Sequence, residues 1–414
     1  MSAHRILYID LAPHPGGSVI SLSHLLQGLD TSRWQPQVVL SRQNDFAGFE
    51  QMGITVHRVR TPQREQHTAG VVENLRQGKA AASIRTTPGL SHLWHWGGRL
   101  RHWQRDVLPV VRALLPIIRA YDPTLIHLND SLALMHHALL AARFAHVPAI
   151  VHARAFVPMS ASDRRLLVPQ LKGMIFISQA MARHQLQGLS APPPYQVIAN
   201  AVPVRRFEQP VNRAAVRKAL GVPTDAPLVG MIGRLIAWKG QHVFVEAFAE
   251  LLKAYPAAWG LVVGDADTAE GERYGAALRA RTRALGLENR LLWLGYRQDL
   301  PEILGALDLL AHTSVRPEPF GRVLIESMAA GTPVIASRAG GALEIVQDGE
   351  TGLLTPPGDA PALTAAMLRL LQDEHLREHL RANGRARVRQ HYTIPSHAAA
   401  VTAFYETLLS SLLR

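Results

Sequence analysis

The chain has 414 residues, a formal net charge of +12 and 47% hydrophobic residues. This length predicts two or three domains, and the apolar share excludes a globally disordered protein. The sequence contains no cysteine, which excludes disulfides, thiolate metal sites and cysteine nucleophiles. The longest apolar stretch, 107–118, is interrupted by Arg112, so we expect no membrane-spanning helix. The first apolar stretch is too short for a secretory signal, and we therefore expect a cytoplasmic protein.

Short apolar runs alternate with helical patterns along most of the chain, which predicts parallel sheets covered on both faces. The first series of predicted strands is 5–10, 37–41, 54–59, 125–129, 149–154, 173–178 and 195–200. The second series is 228–233, 260–265, 291–296, 307–313, 333–337 and 352–355. Two such series favour two doubly wound α/β domains over a single barrel. The polar, proline-bearing stretch 199–212 predicts the linker between them, with a helix starting near Arg213.

The stretch 61–123 breaks this alternation. Within 71–120, eight Arg and Lys residues stand against Glu73 and Asp106, with Trp94, Trp96 and Trp103 among them. The part 99–120 predicts an amphipathic helix, and basic residues beside tryptophan favour contact with an anionic membrane surface. A loop followed by a surface helix on the first sheet explains the same pattern. The sequence has no finger spacing and no aromatic RNA-binding signature, so nucleic acid is not the expected partner.

The strongest local motif is RPEPFGRVLIESMAAG at 316–331. Its two prolines exclude a helix before about residue 320, and a helix starting there exposes its first backbone N–H groups. Those groups form an anion site, and the glycine allows close approach of a phosphate. The predicted donors are Phe320, Gly321, Arg322 and Val323.

Two carboxylates, Glu318 and Glu326, flank this helix start. At 1.5 Å per residue, Glu326 lies about 7–8 Å along the helix axis from Gly321. The pair can accept hydrogen bonds from the hydroxyls of a sugar and of a ribose. The sequence therefore predicts a site for a phosphate that carries sugar groups.

A second motif is GRLIAWKG at 233–240, which follows a predicted strand and precedes a helix. Arg234 and Lys239 then project from the carboxyl edge of a parallel sheet, where ligands bind in such folds. Two cations there suit a diphosphate, although two solvated loop charges explain the pattern equally well. A third motif, Gly16-Gly17, follows the first strand and lets the backbone approach a ligand, but alone it predicts only a tight turn.

Together these motifs resemble the retaining glycosyltransferases of family four, which have the GT-B fold. Further family-like phrases are VIANAVPVRRF, LLWLGYRQDLPEIL, LDLLAHTSVRPEPFG and MAAGTPVIASRAGGALEIVQDGETGLL. The resemblance covers nearly the whole chain and is most specific in its C-terminal half. It implies two Rossmann-like domains facing across a cleft: an acceptor domain at 1–200, joined by a terminal helix 396–414, and a donor domain at 201–395.

The resemblance also implies roles for individual residues. Arg234 and Lys239 would hold the donor diphosphate. Glu326 would bind the ribose. Glu318, with the backbone of 319–322, would contact the transferred sugar.

The remaining implied roles concern the nucleotide base and the first domain. Tyr296 and Arg297 would present backbone groups to the base, and Gly17, beside Gly16, would lie near the phosphate. His152 matches a position near the reacting centre, although an ordinary strand-end histidine is the alternative. The family usually has an acidic or aromatic residue shortly after this histidine, whereas here the run is His-Ala-Arg-Ala-Phe.

The function that the resemblance implies is transfer of a sugar, with retention, from a UDP- or GDP-type nucleotide sugar to a glycan or lipid-linked acceptor. The expected catalytic residues are Glu318, Lys239, Arg234 and His152, with no cofactor and no metal. The expected setting is synthesis of cell-surface polysaccharide, lipopolysaccharide or glycolipid, in the cytoplasm or on the cytoplasmic membrane face. The alternatives are a non-catalytic sugar-nucleotide scaffold at the membrane and an epimerase or phosphorylase of the same fold. Asp265 and Asp267 resemble a metal-binding D-x-D pair, but two carboxylates without a third ligand are weak evidence for a metal.

Overall fold

Residues 3–61 and 103–412 are described by the computed structural model. The chain divides into two units. The first comprises the described residues of Met1–Leu26, Asp30–Ile175 and Gly188–Tyr195, and the second those of Gln27–Leu29, Phe176–Gln187 and Gln196–Arg414. The domain boundaries at 200 and 395 stay a prediction.

The first sheet has seven strands in the order β3-β2-β1-β4-β5-β6-β7. They are β1 His4–Asp10, β2 Trp34–Ser41, β3 Thr55–Val59, β4 Leu125–Leu128, β5 Ala149–Ala153, β6 Gly173–Phe176 and β7 Tyr195–Val197. Strand β1 runs parallel to both β2 and β4, and its residues 6–10 are all buried. Burial on both faces explains why this strand is almost continuously apolar in the sequence.

Helices connect these strands. In the part of the chain that the structure describes they are Gly17–Gln27, Gly48–Gln51, Leu108–Tyr121, Leu132–Phe144, Ala161–Leu166 and Gln179–Leu186, with a π-helical turn at Trp103–Val107 and a 3-10 turn at Val168–Gln170. The connection that carries the helix Leu132–Phe144 leads from β4 to its parallel neighbour β5. This is the βαβ unit that the alternating pattern predicts.

The second sheet has six strands in the order β10-β9-β8-β11-β12-β13. They are β8 Leu228–Ile232, β9 Trp259–Val263, β10 Leu291–Gly295, β11 Leu309–His312, β12 Val334–Ser337 and β13 Leu353–Thr355. The helices of this part are Val204–Phe207, Arg213–Ala219, Gln241–Ala254, Ala269–Ala284, Leu300–Ala306, Arg322–Ala330, Ala342–Ile345, Ala360–Gln372, Glu374–His391 and Ile394–Leu412, with a 3-10 turn at Ala237–Lys239. Strand β8 runs parallel to β9 and β11, so the strand order reverses beside it.

The prediction of two doubly wound α/β folds is confirmed, and each predicted strand has its counterpart within a few residues. The predicted linker 199–212 differs in detail, because it contains the short helix Val204–Phe207 and a bridge from Val202 to Thr393. The helix near Arg213 is present as Arg213–Ala219.

The basic segment 71–120 lies partly outside the described residues, which resume at 103. Its described part contains the helix Leu108–Tyr121, which packs against β3 and the helix Leu132–Phe144. The apolar face of this helix is buried, with Val110, Val111, Leu114 and Ile118 turned inward. This burial agrees with the prediction of a surface helix that covers the first sheet. Among the described helices, none is long and apolar enough to cross a membrane.

Candidate functional site

The loop after β8 reaches the end of β11 through a close backbone contact at Gly240. Gly240 has a φ of +73°, and a Cβ there would lie 2.0 Å from the carbonyl oxygen of Thr313. The Thr313 hydroxyl donates to the carbonyls of Gly240 and Lys239, at 2.9 and 3.1 Å. Only glycine fits this position, and the contact places Lys239 beside the carboxyl end of β11.

Lys239, His312 and Ser314 converge on one oxygen atom of Glu318. Lys239 Nζ lies 2.7 Å from Glu318 Oε2, Ser314 Oγ 2.9 Å and His312 Nε2 3.2 Å. The side chains of Glu318 and His312 are 8% and 3% exposed. A carboxylate buried to this extent is stable only with such partners.

The charge state of Glu318 follows from these contacts. Burial by itself would raise the pKa of this carboxyl group, but the Lys239 ammonium and the hydrogen bond from His312 outweigh burial and hold the pKa well below its usual range. Glu318 is therefore ionised at neutral pH, and because a carboxylate only accepts, His312 Nε2 carries the donated proton.

The backbone of Glu318 is fixed by the glycine pair that follows β12. Gly341 donates its N–H to the carbonyl of Glu318 at 2.7 Å. A Cβ on Gly340, which has a φ of +62°, would lie 2.3 Å from the same carbonyl oxygen. The hydroxyl of Ser178 donates to the neighbouring carbonyl of Pro319 at 2.7 Å. These contacts set the direction of the Glu318 side chain.

The helix after Glu318 begins at Arg322, two residues later than the sequence predicts. Gly321 precedes it with a φ of +103°, a left-handed conformation that cannot continue a right-handed helix. The backbone N–H groups of Phe320 and Gly321, which the sequence predicts as anion-binding donors, therefore lie before the first turn of the helix. The N–H groups of the helix itself begin with Arg322 and Val323. Glu326 is 7% exposed and accepts a hydrogen bond from Arg322 at 2.9 Å, so the two predicted donor-binding residues are paired.

Arg234 is also paired with a carboxylate. Its guanidinium lies 2.5 Å from Asp267 Oδ2, with 60% and 43% of the two side chains exposed. Its backbone carbonyl accepts a hydrogen bond from the Gln241 side chain at 2.7 Å. Asp267 thus contacts a predicted phosphate-binding cation, and in the described part of the chain no group of three His, Cys, Asp or Glu residues has the spacing of a metal site.

The predicted base-reading residues follow β10. Gly295 has a φ of +65° and turns the chain, and Tyr296 is 73% exposed. Arg297 donates two hydrogen bonds to Asp299, at 2.8 and 2.6 Å, so its guanidinium is held along the loop.

The predicted residues of the first unit lie at the carboxyl ends of its central strands. Gly16 and Gly17 are exposed where the helix Gly17–Gln27 begins, and a Cβ on Gly16 would meet only the His14 carbonyl oxygen, 3.9 Å away. His152 is buried in β5, and its Nδ1 lies 3.2 Å from a guanidinium nitrogen of Arg154. Its ring centroid is 5.2 Å from that of His127.

Asn129, Asp10 and Asp130 continue this polar cluster. Asn129 accepts from Arg154 Nε at 2.6 Å and donates to Asp10 at 2.7 Å. Burial, with the nearby charge of Asp10 second, raises the pKa of Asp130 to about 6. The cluster therefore places the Arg154 guanidinium beside His152 and connects it through Asn129 to the carboxyl group of Asp10.

The structure adds residues that sequence reasoning missed. In the second unit these are His312 and Ser314, and in the first unit Asp10 and Arg154. One signal was available: His312 and Ser314 are two positions apart at a strand end, so their side chains lie on one face. For Asp10 the sequence offered no such signal, because a single acidic residue ends many strands.

The second unit matches a known family. The family model described as "Glycosyl transferases group 1" matches residues 212–387. This match covers less than half of the chain. The matched part contains Arg234, Lys239, Glu318 and Glu326, whereas Gly16, Gly17 and His152 lie outside it.

Curated relatives of this chain include enzymes named for lipopolysaccharide core synthesis. The mannosyltransferase LpsB of Rhizobium meliloti (strain 1021) is 33% identical over 218 residues, 52% of this chain and 62% of that protein. The mannosyltransferase LpcC of Rhizobium leguminosarum bv. viciae is 35% identical over 216 residues, 52% of this chain and 60% of that protein. The chain thus spans about three fifths of the length of these relatives.

Among solved structures, Anabaena Alr3699/HepE in complex with UDP and glucose has a TM-score of 0.79 and 26% identity to this chain. The match covers 97% of this chain and 99% of that one. The similarity therefore includes the fold of both units.

Proposed function

We propose that this chain is a retaining glycosyltransferase that transfers a sugar from a nucleotide diphosphate sugar to an acceptor hydroxyl. The observation that carries the proposal is the cluster of Lys239, Glu318 and the helix start at Arg322, within the residues that match the family model. The names of LpsB and LpcC support lipopolysaccharide or glycolipid synthesis as its setting. The complexes of Alr3699/HepE with UDP and with UDP-glucose support a nucleoside diphosphate sugar of UDP type as donor.

The chemical work of the site is to stabilise the leaving diphosphate. As the bond to the sugar breaks, negative charge grows on the diphosphate, and preorganised cations and N–H donors lower the barrier. Arg234, Lys239 and the N–H groups at Arg322 and Val323 supply both. These groups take the place that a divalent metal has in other glycosyltransferases, so we propose a metal-independent reaction.

Both cations already have carboxylate partners, Lys239 with Glu318 and Arg234 with Asp267. A bound diphosphate therefore replaces or shares these partners. Release of Lys239 would leave Glu318 with His312 and Ser314, and its oxygens would then accept from the hydroxyls of the transferred sugar. Glu326 would bind the ribose, and Tyr296 with Arg297 would line the base.

A thermal-shift series with UDP, GDP, ADP and their sugar forms, with and without EDTA, tests the donor site. Ligand at about 100 times its Kd stabilises a protein by roughly 2.7 kcal/mol. We expect a shift selective for one base that survives EDTA. A shift that EDTA abolishes would contradict metal independence.

Variant kinetics test the residue roles. Glu326→Ala should raise the donor KM, because a ribose contact is lost, and Lys239→Ala should depress kcat, because the leaving diphosphate loses a cation. Lys253→Ala is the matched control, since this lysine is 72% exposed and pairs with the exposed Glu250. Unchanged kinetics in both site variants would overturn the assignment. Analysis of the anomeric configuration of the product tests retention.

A further inference from the structure

A chain of directed hydrogen bonds crosses three neighbouring strands of the first sheet. Strands β1, β4 and β5 are adjacent in that order. Asp10 ends β1, Asn129 follows β4, and His152 and Arg154 lie within and just after β5. Because parallel strands end at one edge of a sheet, these four side chains meet there.

The direction of every hydrogen bond in this chain is determined by chemistry. Arginine has only donors, so Asn129 Oδ1, 2.6 Å from Arg154 Nε, is an acceptor. Asn129 Nδ2 must then donate, and it lies 2.7 Å from Asp10 Oδ2 and 3.1 Å from the Ser18 carbonyl oxygen. Asp10 Oδ1 accepts from the N–H of Ala12 at 3.1 Å. The amide of Asn129 therefore has one orientation.

The same rule determines the proton of His152. Its Nδ1 lies 3.2 Å from a guanidinium nitrogen of Arg154, and a donor-only group requires an acceptor there. A proton on Nδ1 would point at the guanidinium, which steric contact and like charge both oppose. Asp10, Asn129 and His152 are fully buried and Arg154 is 8% exposed, so water does not screen this contact.

We propose that Arg154 is a positioning residue that holds His152 as the neutral tautomer with its proton on Nε2. His152 then presents an N–H donor and has no lone pair on Nε2 with which to remove a proton. The role of that donor in turnover rests on the proposed function: it would bind an oxygen of the sugar or of the acceptor once ligand binding uncovers the ring, which is fully buried in this structure. The arginine also gives a reason for the run His-Ala-Arg-Ala-Phe, which departs from the acidic or aromatic pattern of the resembling family.

The direct test is the tautomer itself, in the intact protein without substrate. Long-range 1H–15N correlation spectra of 15N-histidine-labelled chain, assigned by comparison with His152→Gln, report which ring nitrogen carries the proton. We expect an unprotonated Nδ1 and a protonated Nε2. A protonated Nδ1 overturns the proposal whether or not the chain proves to be a transferase.

Variants connect the tautomer to turnover. Arg154→Met should give a mixture of His152 tautomers and lower kcat about 10–100-fold with little change in donor KM, as expected for a misplaced group. Arg143→Met, at an exposed arginine of the same unit, should change neither the His152 tautomer nor kcat. An Arg154→Met chain that keeps the wild-type tautomer contradicts the role of the guanidinium.

A second pair of variants separates a donor from a base and keeps the test valid if Arg154→Met does not fold. The amide nitrogen of glutamine occupies the place of histidine Nε2, and its oxygen can accept from Arg154. His152→Gln should therefore retain at least tenfold more activity than His152→Leu. Equal loss in both would show that an N–H donor at this position does not support turnover, and it would overturn the proposed role of His152.

Discussion

At the scale of single residues, the environment of Glu318 Oε2 decides what the donor site can do. One ammonium, one imidazole and one hydroxyl share this atom. Their combined attraction keeps a buried carboxylate ionised. Loss of any one of them changes either the charge state of Glu318 or the free-energy cost of burying it.

Removal of Lys239 should destabilise the ligand-free chain, because Glu318 would remain buried without its cation. For Lys239→Met we expect a loss of about 3–5 kcal/mol. Lys253→Met should cost under about 1 kcal/mol, since its pair with Glu250 is exposed on both sides. Denaturant midpoints measured without nucleotide compare the two, and equal shifts would argue against a buried ion pair.

Glu318 should also make stability depend on pH in the acid range. Its pKa in the folded chain lies below the ordinary value of 4.5, so its ionised form stabilises the fold above that value and this contribution is lost as the pH falls. Glu318→Gln should therefore melt below the wild type at pH 7, and the gap should narrow from about pH 5 to about pH 3. Glu250→Gln, at an exposed carboxylate, is the control and should give a small gap that varies little.

At the scale of elements, both units place their polar residues where parallel strands end. In the second unit, the loop after β8 and the segment after β11 are held together by Gly240 and Thr313. In the first unit, β1, β4 and β5 contribute Asp10, Asn129 and His152. The strands are rigid and buried, so each side chain has a defined position.

The loop contact predicts that Gly240→Ala is severely destabilising. The new Cβ would lie 2.0 Å from the carbonyl oxygen of Thr313, so the loop that carries Lys239 must move. Gly221→Ala is a close control: Gly221 has the same φ of +73° and nothing within 4 Å of its Cβ position. It should cost only the left-handed penalty of about 1–2 kcal/mol. Melting temperatures of the two variants separate the steric effect from the backbone effect. Equal melting temperatures would contradict a steric effect at Gly240.

At the scale of the whole molecule, a net charge of +12 favours attraction to anionic surfaces. The described helix Leu108–Tyr121 buries its apolar face and leaves Arg112 and Arg119 exposed. Attraction to a membrane through this helix would therefore be electrostatic rather than by insertion.

Co-sedimentation with vesicles tests this prediction. We expect binding to vesicles that contain anionic lipid at low ionic strength, with release as salt shortens the Debye length to about 8 Å. Neutral vesicles are the control. Binding that ignored lipid charge would contradict an electrostatic interaction.

Much of this protein follows from the order of its amino acids alone. Continuous apolar strands and intervening helical patterns predict two doubly wound sheets, because burial on two faces leaves a clear local signal. The motifs at 233–240 and 316–331 place Arg234, Lys239, Glu318 and Glu326 near strand ends, since a strand-to-loop transition is also local.

Only the tertiary structure decided which of these groups touch. Glu318 is 79 residues from Lys239 and Asp267 is 33 from Arg234, and no local pattern encodes such pairs. The helix begins at Arg322 rather than at the predicted Phe320, because Gly321 has a left-handed conformation. Gly340, which approaches the backbone of Glu318, belongs to a part of the chain outside this motif. The series of hydrogen bonds that leads from Asp10 through Asn129 and Arg154 to His152 depends on the strand order β1-β4-β5. This order brings Asp10 and Asn129 together, although they are 119 positions apart. Side-chain chemistry is written in the sequence, but pairing between distant residues is a property of the folded sheet.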